Sequence, residues 1–473
     1  MSHIHFAVIC AVILLPIPNT AHAAEKSRPN IVVFIADDHG YLDSSVSGAK
    51  QFATPSLERL AREGMTLTHA FAASPTCAPS RAAFLTGLMP VHSGGMLNHQ
   101  PPRGEAKKLP AYLQALGYEV AAIGKVAHYE QGRKYGFDYT AHDTFHDDQC
   151  VSSAIEYLRV RKSDKPLCLM VGTNFPHVPW PALDKNGAAN GSERSSFEPS
   201  PILVDTPATR RWRARYQAAV ERCDREIALV YDEAYKRLGA NTLFIEFADQ
   251  GAQWPFGKWN LYDTGTRTNL FAVWPGVIKP GSRCDALVSL VDLLPTLVEA
   301  AGDTPPADID GRSFIPLLTG RETTFRDVIF ATHSGDGKMN QYPMRTVRTS
   351  GWKYIRNLKP EAEFHTHIDL GKPVDGSEYW ASWVARAKTD HAANELVARY
   401  FHRPSEELFD LEADPNELHN LAADAKHAEK LREMGALLDR LMREQGDEGV
   451  ATEAMATKAF PKAMELPSTS MAK

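Results

Sequence analysis

The sequence predicts an α/β protein: a large mixed, mostly parallel sheet sandwiched by helices, followed by a smaller α+β domain. Three observations lead there. Apolar, β-branched runs alternate with helix-like segments through the first 250 residues, the pattern of strands buried on both faces. Each run passes into a polar cluster at its carboxyl end. From about Gly335 the alternation gives way to a strand-like stretch and long helical segments.

The elements follow in order. Residues 31–36 form the first strand run, which meets Asp37-Asp38-His39-Gly40. Residues 56–63 and 109–116 have helical patterning, and the second run, 120–123, enters Gly124-Lys125-Val126-Ala127-His128. The third, 167–171, leads to Asn174-Phe175-Pro176-His177. Residues 185–200 are rich in Gly, Asn, Ser and Pro and read as a surface loop. Residues 214–238 are helix-like, and the arginines at 210, 211, 213 and 215 read as the solvated start of that helix in preference to a glycan-binding patch. The fourth run, 242–248, ends in Asp249-Gln250-Gly251, and residues 289–301 form a helix closed by Gly302. Residues 352–358 read as a strand, 381–400 as a helix and 427–445 as an amphipathic helix. The tail after Gly449 has little periodicity and reads as loosely held; there are no internal repeats. Ligands of open α/β sheets sit outside the carboxyl ends of the strands, so the four polar clusters should converge on one pocket.

A chain of 473 residues accommodates one large domain and one smaller one, placed at 24–335 and 336–473. A net charge of −6 excludes a broad basic surface for nucleic acid. Residues 6–15 are apolar and Ala21-His22-Ala23 offers a small-x-small cleavage site, so residues 1–23 read as a signal peptide, although no lysine or arginine precedes the apolar run. The expected location is periplasmic or secreted, or lysosomal in a eukaryote. No run is long enough to span a membrane. Cys10 would leave with the signal, and Cys77, Cys150, Cys168, Cys223 and Cys284 remain without any C-x-x-C pair. An odd number fits one modified cysteine and four others, whose pairing the spacing leaves open. Asn190-Gly191-Ser192 is a glycosylation acceptor only in a host that glycosylates.

Chemistry concentrates at Cys77-Ala78-Pro79-Ser80-Arg81, a small nucleophile ahead of helix-compatible residues that Gly87 can terminate. The amino-terminal end of such a helix favours an anion in front of Cys77. On its own the short motif also describes a buried cysteine before a helix. Asp37, Asp38, Asp249 and Gln250 are hard oxygen donors, suited to calcium or magnesium more than to zinc. Adjacent aspartates on a continuing strand face opposite ways, so the backbone must turn there for both to bind one ion. Lys125, Lys258 and Arg81 supply positive charge, and His128 and His177 supply proton transfer. Taken singly, each of these is an ordinary surface or satisfied residue. Together they make a cationic, metal-containing pocket around a nucleophile, which suits cleavage of a charged ester or sulfamate.

The stretch from Cys77 through Leu85-Thr86-Gly87 resembles the signature of the formylglycine-dependent sulfatases of the alkaline phosphatase superfamily, as does Pro29-Asn30-Ile31-Val32-Val33-Phe34-Ile35-Ala36-Asp37-Asp38. The resemblance covers nearly the whole mature chain. Asp249-Gln250-Gly251 stands where that family usually has Asp-Asn-Gly, and two residues separate Lys125 from His128 where one is commoner. The resemblance implies that a maturation enzyme converts Cys77 to formylglycine. It implies one Ca2+ held by Asp37, Asp38, Asp249, Gln250 and the modified Cys77. Lys125 and Lys258 would hold sulfate, Arg81 would steady the hydrate, His177 or Lys258 would protonate the leaving group, and His128 would take the proton whose loss expels sulfate. Asp205-Thr206-Pro207-Ala208-Thr209-Arg210 and Tyr342-Pro343-Met344-Arg345-Thr346-Val347 are most similar to the heparan N-sulfatase (sulfamidase) branch, although Lys258 is the choice of O-sulfatases. The implied substrate is a sulfated saccharide, foremost N-sulfoglucosamine, with His333 as a candidate substrate contact. An O-sulfatase, a phosphonate or phosphodiester hydrolase, and a catalytically silent glycan-binding homologue are the alternatives. Oligomeric state is left open.

Overall fold

The computed structural model describes residues 28–144, 147–182 and 200–462. The expected signal peptide, Asn190 and all but the last residue of the 185–200 loop lie outside the described residues.

Nine strands form one mixed sheet. They are β1 (Asn30–Asp37), β2 (Met65–Phe71), β3 (Glu119–Gly124), β4 (Tyr139–Ala141), β5 (Leu167–Pro176), β6 (Thr242–Ala248), β7 (Arg267–Val273), β8 (Ser282–Cys284) and β9 (Val288–Ser289). The spatial order is β4-β3-β5-β1-β6-β7-β2-β8, with β9 on β2. From β4 to β6 every pairing is parallel, and β7 runs antiparallel to both β6 and β2.

Period-two alternation along β1 explains its near-continuous apolar run. Val32, Phe34 and Ala36 enter one core, and Ile31, Val33 and Ile35 enter the core on the opposite face. The helix Pro207–Leu238 covers the first face through Tyr216, Val220 and Ile227. Phe84 and Leu85 of the helix Cys77–Thr86, with Leu293, Leu294 and Leu297, cover the second.

The smaller carboxyl-terminal unit is a four-stranded antiparallel sheet of β10 (Ile329–His333), β11 (Met344–Arg348), β12 (Trp352–Asn357) and β13 (Glu406–Asp410). Met434, Leu438 and Met442 of the amphipathic helix Ala428–Glu444 pack on Val347, Tyr354 and Leu408 of this sheet. A buried charge cluster joins the two sheets: Asp263 pairs with Lys353 and Arg348, and Lys353 also pairs with Glu417 at 2.8 Å.

Three expectations are corrected. Residues 381–400 are not one helix but parts of Ser377–Ala387 and His391–Phe401, because the Asp390 side chain caps the second at the Ala393 amide. The arginine-rich stretch is not uniformly solvated. Arg210 and Arg211 are exposed, while Arg213 turns in to Asp43 at 2.9 Å and Arg215 binds the carbonyls of Trp180 and Pro181. In the described part of the tail, which ends at residue 462, the chain is not loose: Val450–Ala459 is a helix anchored by Glu453, whose carboxylate meets Arg345 at 2.7 Å and Ser334 at 2.8 Å. Buried polar groups hold it, so apolar periodicity had little to show. Cys77, Cys150, Cys168, Cys223 and Cys284 are all free, buried thiols.

Candidate active site

The register of four adjacent parallel strands brings the polar clusters together. Ala36 on β1 lies opposite Ala248 on β6, which sets Asp37 and Asp38 beside Asp249 and Gln250. On the other side Asp37 is level with Pro176 of β5, one residue before His177, and Gly172 of β5 is level with Gly124 at the end of β3. A side chain at Gly172 would meet the Lys125 carbonyl oxygen at 2.1 Å, so glycine there is what lets the Lys125 backbone settle on β5. Asp38 adopts the left-handed conformation, with φ of 65°. This is the turn that two adjacent aspartates require to face one point, and aspartate tolerates it better than most residues.

Cys77 opens a ten-residue helix that ends at Gly87, with φ of 69°. Its Sγ lies 3.8 Å from Asp37 Oδ1 and 3.9 Å from Asp38 Oδ1. Lys125 Nζ approaches it to 3.4 Å and Gln250 Nε2 to 3.2 Å. Lys125 Nζ also donates to Asp37 at 2.6 Å and stands 4.6 Å from the Tyr129 ring centroid. Lys258 Nζ donates to Asp38 Oδ2 at 2.7 Å, and His177 Nε2 lies 3.5 Å from the same oxygen. Arg81 bridges Asp37 at 3.1 Å and Asp249 at 2.7 Å, and also donates to the Lys125 carbonyl.

Apart from the half-buried Tyr129, these side chains are buried, which sharpens their electrostatics. Burial pushes the Cys77 thiol up to about 12, so as an unmodified thiol it is protonated and weakly nucleophilic at neutral pH. Burial also raises Asp38 and Asp249. Asp37 is buried too, but Lys125, His177, Arg81 and Lys258 outweigh that effect and hold it well below the usual carboxylate range. Burial, then the neighbouring His99, Lys125 and Arg81, pushes His128 well below its ordinary value.

Whether a cation fits is tested by the donor set. Ligand atoms of Asp37, Cys77 and Asp249 lie within 4.8 Å of one another, as do those of Asp38, Cys77 and His177. Gln250 Oε1 is buried without a hydrogen-bond partner among the described residues, while Gln250 Nε2 donates to Asp38. Exchanging the ends of that amide turns its oxygen toward the aspartates. Three carboxylates beside an orphaned amide oxygen suit a hard divalent cation.

Of the expected site residues, Asp37, Asp38, Cys77, Arg81, Lys125, His177, Asp249, Gln250 and Lys258 form one contact network. His128 stands beside it, with Nε2 2.7 Å from His99 Nδ1. His333 is not brought to Cys77; it is buried and bonded to Asn340 at 2.7 Å. Sequence reasoning missed Asn98, His99 and Asp336. Asn98 Oδ1 accepts the Ala78 amide at 3.1 Å, directly after Cys77, and its amide donates to Asp336 at 2.9 Å. The only local signal for Asp336 is its place between Gly335 and Gly337.

This fold and pocket define a class of α/β hydrolases whose site lies at the carboxyl ends of parallel strands. Within it, the sulfatase family model matches residues 29–303, and the chain belongs to that family. It is a sulfuric ester hydrolase, and its family generally relies on formylglycine and a metal ion. Residues 251–379 also match the model described as N-sulphoglucosamine sulphohydrolase, C-terminal. An ulvan-active sulfatase of Formosa agariphila is 30% identical over 433 residues, covering 90% of this chain and 82% of the relative. Human N-sulphoglucosamine sulphohydrolase is 28% identical over 491 residues, covering 93% and 96%. A protein solved in complex with its substrate D-glucosamine-2-N,6-O-disulfate superimposes with a TM-score of 0.68 at 20% identity, covering 89% of this chain and 99% of the other. A phosphonate monoester hydrolase of Silicibacter pomeroyi gives 0.64 at 18%, covering 89% and 97%. At these identities the two structures speak for the fold alone. No helix among the described residues is long and apolar enough to cross a membrane.

Proposed function

We propose that this protein is an exported, calcium-dependent sulfatase that removes sulfate from a sulfated glycan, with N-sulfoglucosamine as its foremost substrate. The observation that carries the reading is the charge arrangement around Cys77. Asp37, Asp38 and Asp249 are countered by Lys125, Lys258 and Arg81, so a divalent ion would leave the pocket net positive, matched to an anionic sulfate or sulfamate. The match of residues 251–379 to the N-sulphoglucosamine sulphohydrolase carboxyl-terminal model favours the sulfamate.

In this reading Asp37, Asp38, Asp249, Gln250 and residue 77 hold the ion. The ion supplies Lewis-acid charge, and formylglycine at position 77 supplies a hydrated carbonyl. Lys125 and Lys258 hold anionic oxygens of the substrate beside Cys77. Arg81 locks Asp37 and Asp249 in place. His177 Nδ1 is 2.6 Å from the Val178 carbonyl, which can only accept, so Nδ1 carries a proton and Nε2 is the atom that exchanges protons near Asp38. His177 or Lys258 protonates the leaving group, and His128 is the proton acceptor in the second half of the reaction. The division at residue 335, export through residues 1–23 and dependence on a maturation enzyme belong to the same proposal.

An O-sulfatase is the second reading, favoured by Lys258 and by the 30% identity to an ulvan-active sulfatase. Peptide mass spectrometry and sulfate release from N-sulfated and O-sulfated glucosamine separate the two. A loss of about 18 Da on the Cys77 peptide, with sulfate freed mainly from the sulfamate, supports the N-sulfatase. Conversion with release of O-linked sulfate only keeps the mechanism and replaces the substrate. Unconverted Cys77 in protein from the native host rejects the formylglycine reading.

A further inference from the structure

We infer that His99 and Asp336 are positioning residues that hold His128 in the tautomer with its lone pair at Nδ1. The inference rests on the reading of His128 as the proton acceptor. It begins with Asp336, a buried carboxylate on the loop after β10. Its Oδ2 accepts from Asn98 Nδ2 at 2.9 Å and from Trp259 Nε1 at 2.8 Å, and His367 Nε2 lies 3.4 Å away. Its Oδ1 has no full hydrogen bond among the described residues and stands 3.4 Å from His99 Nε2, which also lacks one there. Burial alone would raise this carboxyl, but His367 and His99 more than offset that and hold it well below the usual range. An ionised carboxylate can only accept, so the proton of His99 belongs on Nε2.

The consequence passes along the pair. With its proton on Nε2, His99 presents a lone pair at Nδ1, and His128 Nε2 stands 2.7 Å from it. That contact then needs a proton on His128 Nε2, which leaves His128 Nδ1 unprotonated. His128 Nδ1 is buried with no hydrogen-bond partner among the described residues. An orphaned buried acceptor is costly, and is retained where chemistry uses it. The charged and titratable groups around His128 are His99, Lys125, Arg81 and Asp336, and the Tyr129 ring lies 4.4 Å from it. Burial, then His99, Lys125 and Arg81, outweigh the one carboxylate, so the ring stays neutral and its tautomer matters. His99 itself is left-handed, with φ of 68°, a conformation that its surroundings must enforce. Through Asn98 the same carboxylate is tied to the Ala78 amide, so acceptor and nucleophile are aligned from one anchor.

The test is long-range proton–nitrogen NMR of histidine-labelled protein with Cys77 unconverted, paired with kinetics of converted enzyme. Native His128 is expected to carry its proton on Nε2. Asp336→Asn offers His99 a donor as well as an acceptor, and His99→Asn removes the relay while tolerating the left-handed backbone. Both variants should show mixed His128 tautomers, and kcat should fall about 10- to 100-fold with KM within about twofold. A proton on Nδ1 of native His128, or unchanged tautomer and kcat in both variants, overturns the relay. Should Asp336→Asn fail to fold, the native spectrum and His99→Asn decide alone. Native His128 protonated on Nε2 in a protein that releases no sulfate supports the relay and removes the proposed function. Sulfate release with the proton on Nδ1 does the reverse.

Discussion

Gln250 Nε2 lies 3.2 Å from Cys77 Sγ, and the other end of the same amide, Oε1, is buried without a partner among the described residues. The side chain is one methylene longer than the asparagine that the sequence resemblance implies, and it still reaches Cys77. Its amide is poised to exchange ends when a cation sits among Asp37, Asp38 and Asp249. Gln250→Ala should weaken calcium binding by roughly tenfold or more, measured by calorimetry, because one oxygen ligand is lost from a set of few. Gln250→Asn should bind within that range. Equal affinity in Gln250→Ala and native protein would remove Gln250 from the ligand set.

Removing the ion should abolish turnover without unfolding the protein. The three carboxylates keep their partners in its absence: Asp37 with Lys125 and Arg81, Asp38 with Lys258, Asp249 with Arg81. No uncompensated buried charge is created, so the large destabilisation of a broken pair does not arise. Circular dichroism of chelator-treated protein should be native-like, and calcium should restore sulfate release. Unfolding on chelation would show that the ion carries the fold, and the pairs do not.

Much of this site was legible in the chain because each motif hangs directly from a strand end. Asp37-Asp38, Gly124-Lys125, Pro176-His177 and Asp249-Gln250 sit at the carboxyl ends of β1, β3, β5 and β6, and parallel register does the rest. Asn98, His99 and Asp336 have no such carrier. They lie between regular elements, and Asp336 and His99, far apart in sequence, meet only in three dimensions. The helix Val450–Ala459 was illegible for a related reason, since it buries Thr452 and Glu453 and only one apolar residue, Ala456. β2 and β7 went unnoticed because Thr66, Thr68 and Thr268 interrupt their apolar pattern.

Arg345, part of a segment similar to the sulfamidase branch, has a structural employment. Its guanidinium is fully buried between Asp447 and Glu453 and clamps the final helix to β11. Arg345→Ala would strand two buried carboxylates, at a cost of about 3–5 kcal/mol. Arg345→Lys would keep the charge but lose the fork that meets both acids, and should cost less. Chemical denaturation reads these differences, while KM at a temperature where the protein is folded should hardly change. A KM rise without loss of stability would instead make Arg345 a substrate contact.

His333 links pH to stability. Burial pushes it down to about 4 despite its bond to Asn340 Oδ1 at 2.7 Å. A histidine unfolds to an ordinary value of about 6.5, so between these two values the unfolded chain binds more protons than the native one. Its neutral form therefore contributes stability in full above about 6.5, and that contribution is lost as pH falls toward 4, by about 3 kcal/mol at most. His92 acts in the opposite sense, because Asp310 raises it and its contribution is lost as pH rises. Comparing native protein with His333→Gln cancels that background. The variant should lose less unfolding free energy than the native protein between pH 6.5 and about 4. Parallel curves across that window would mean that His333 is already charged in the fold, and that Asp336, not Asn340, governs it.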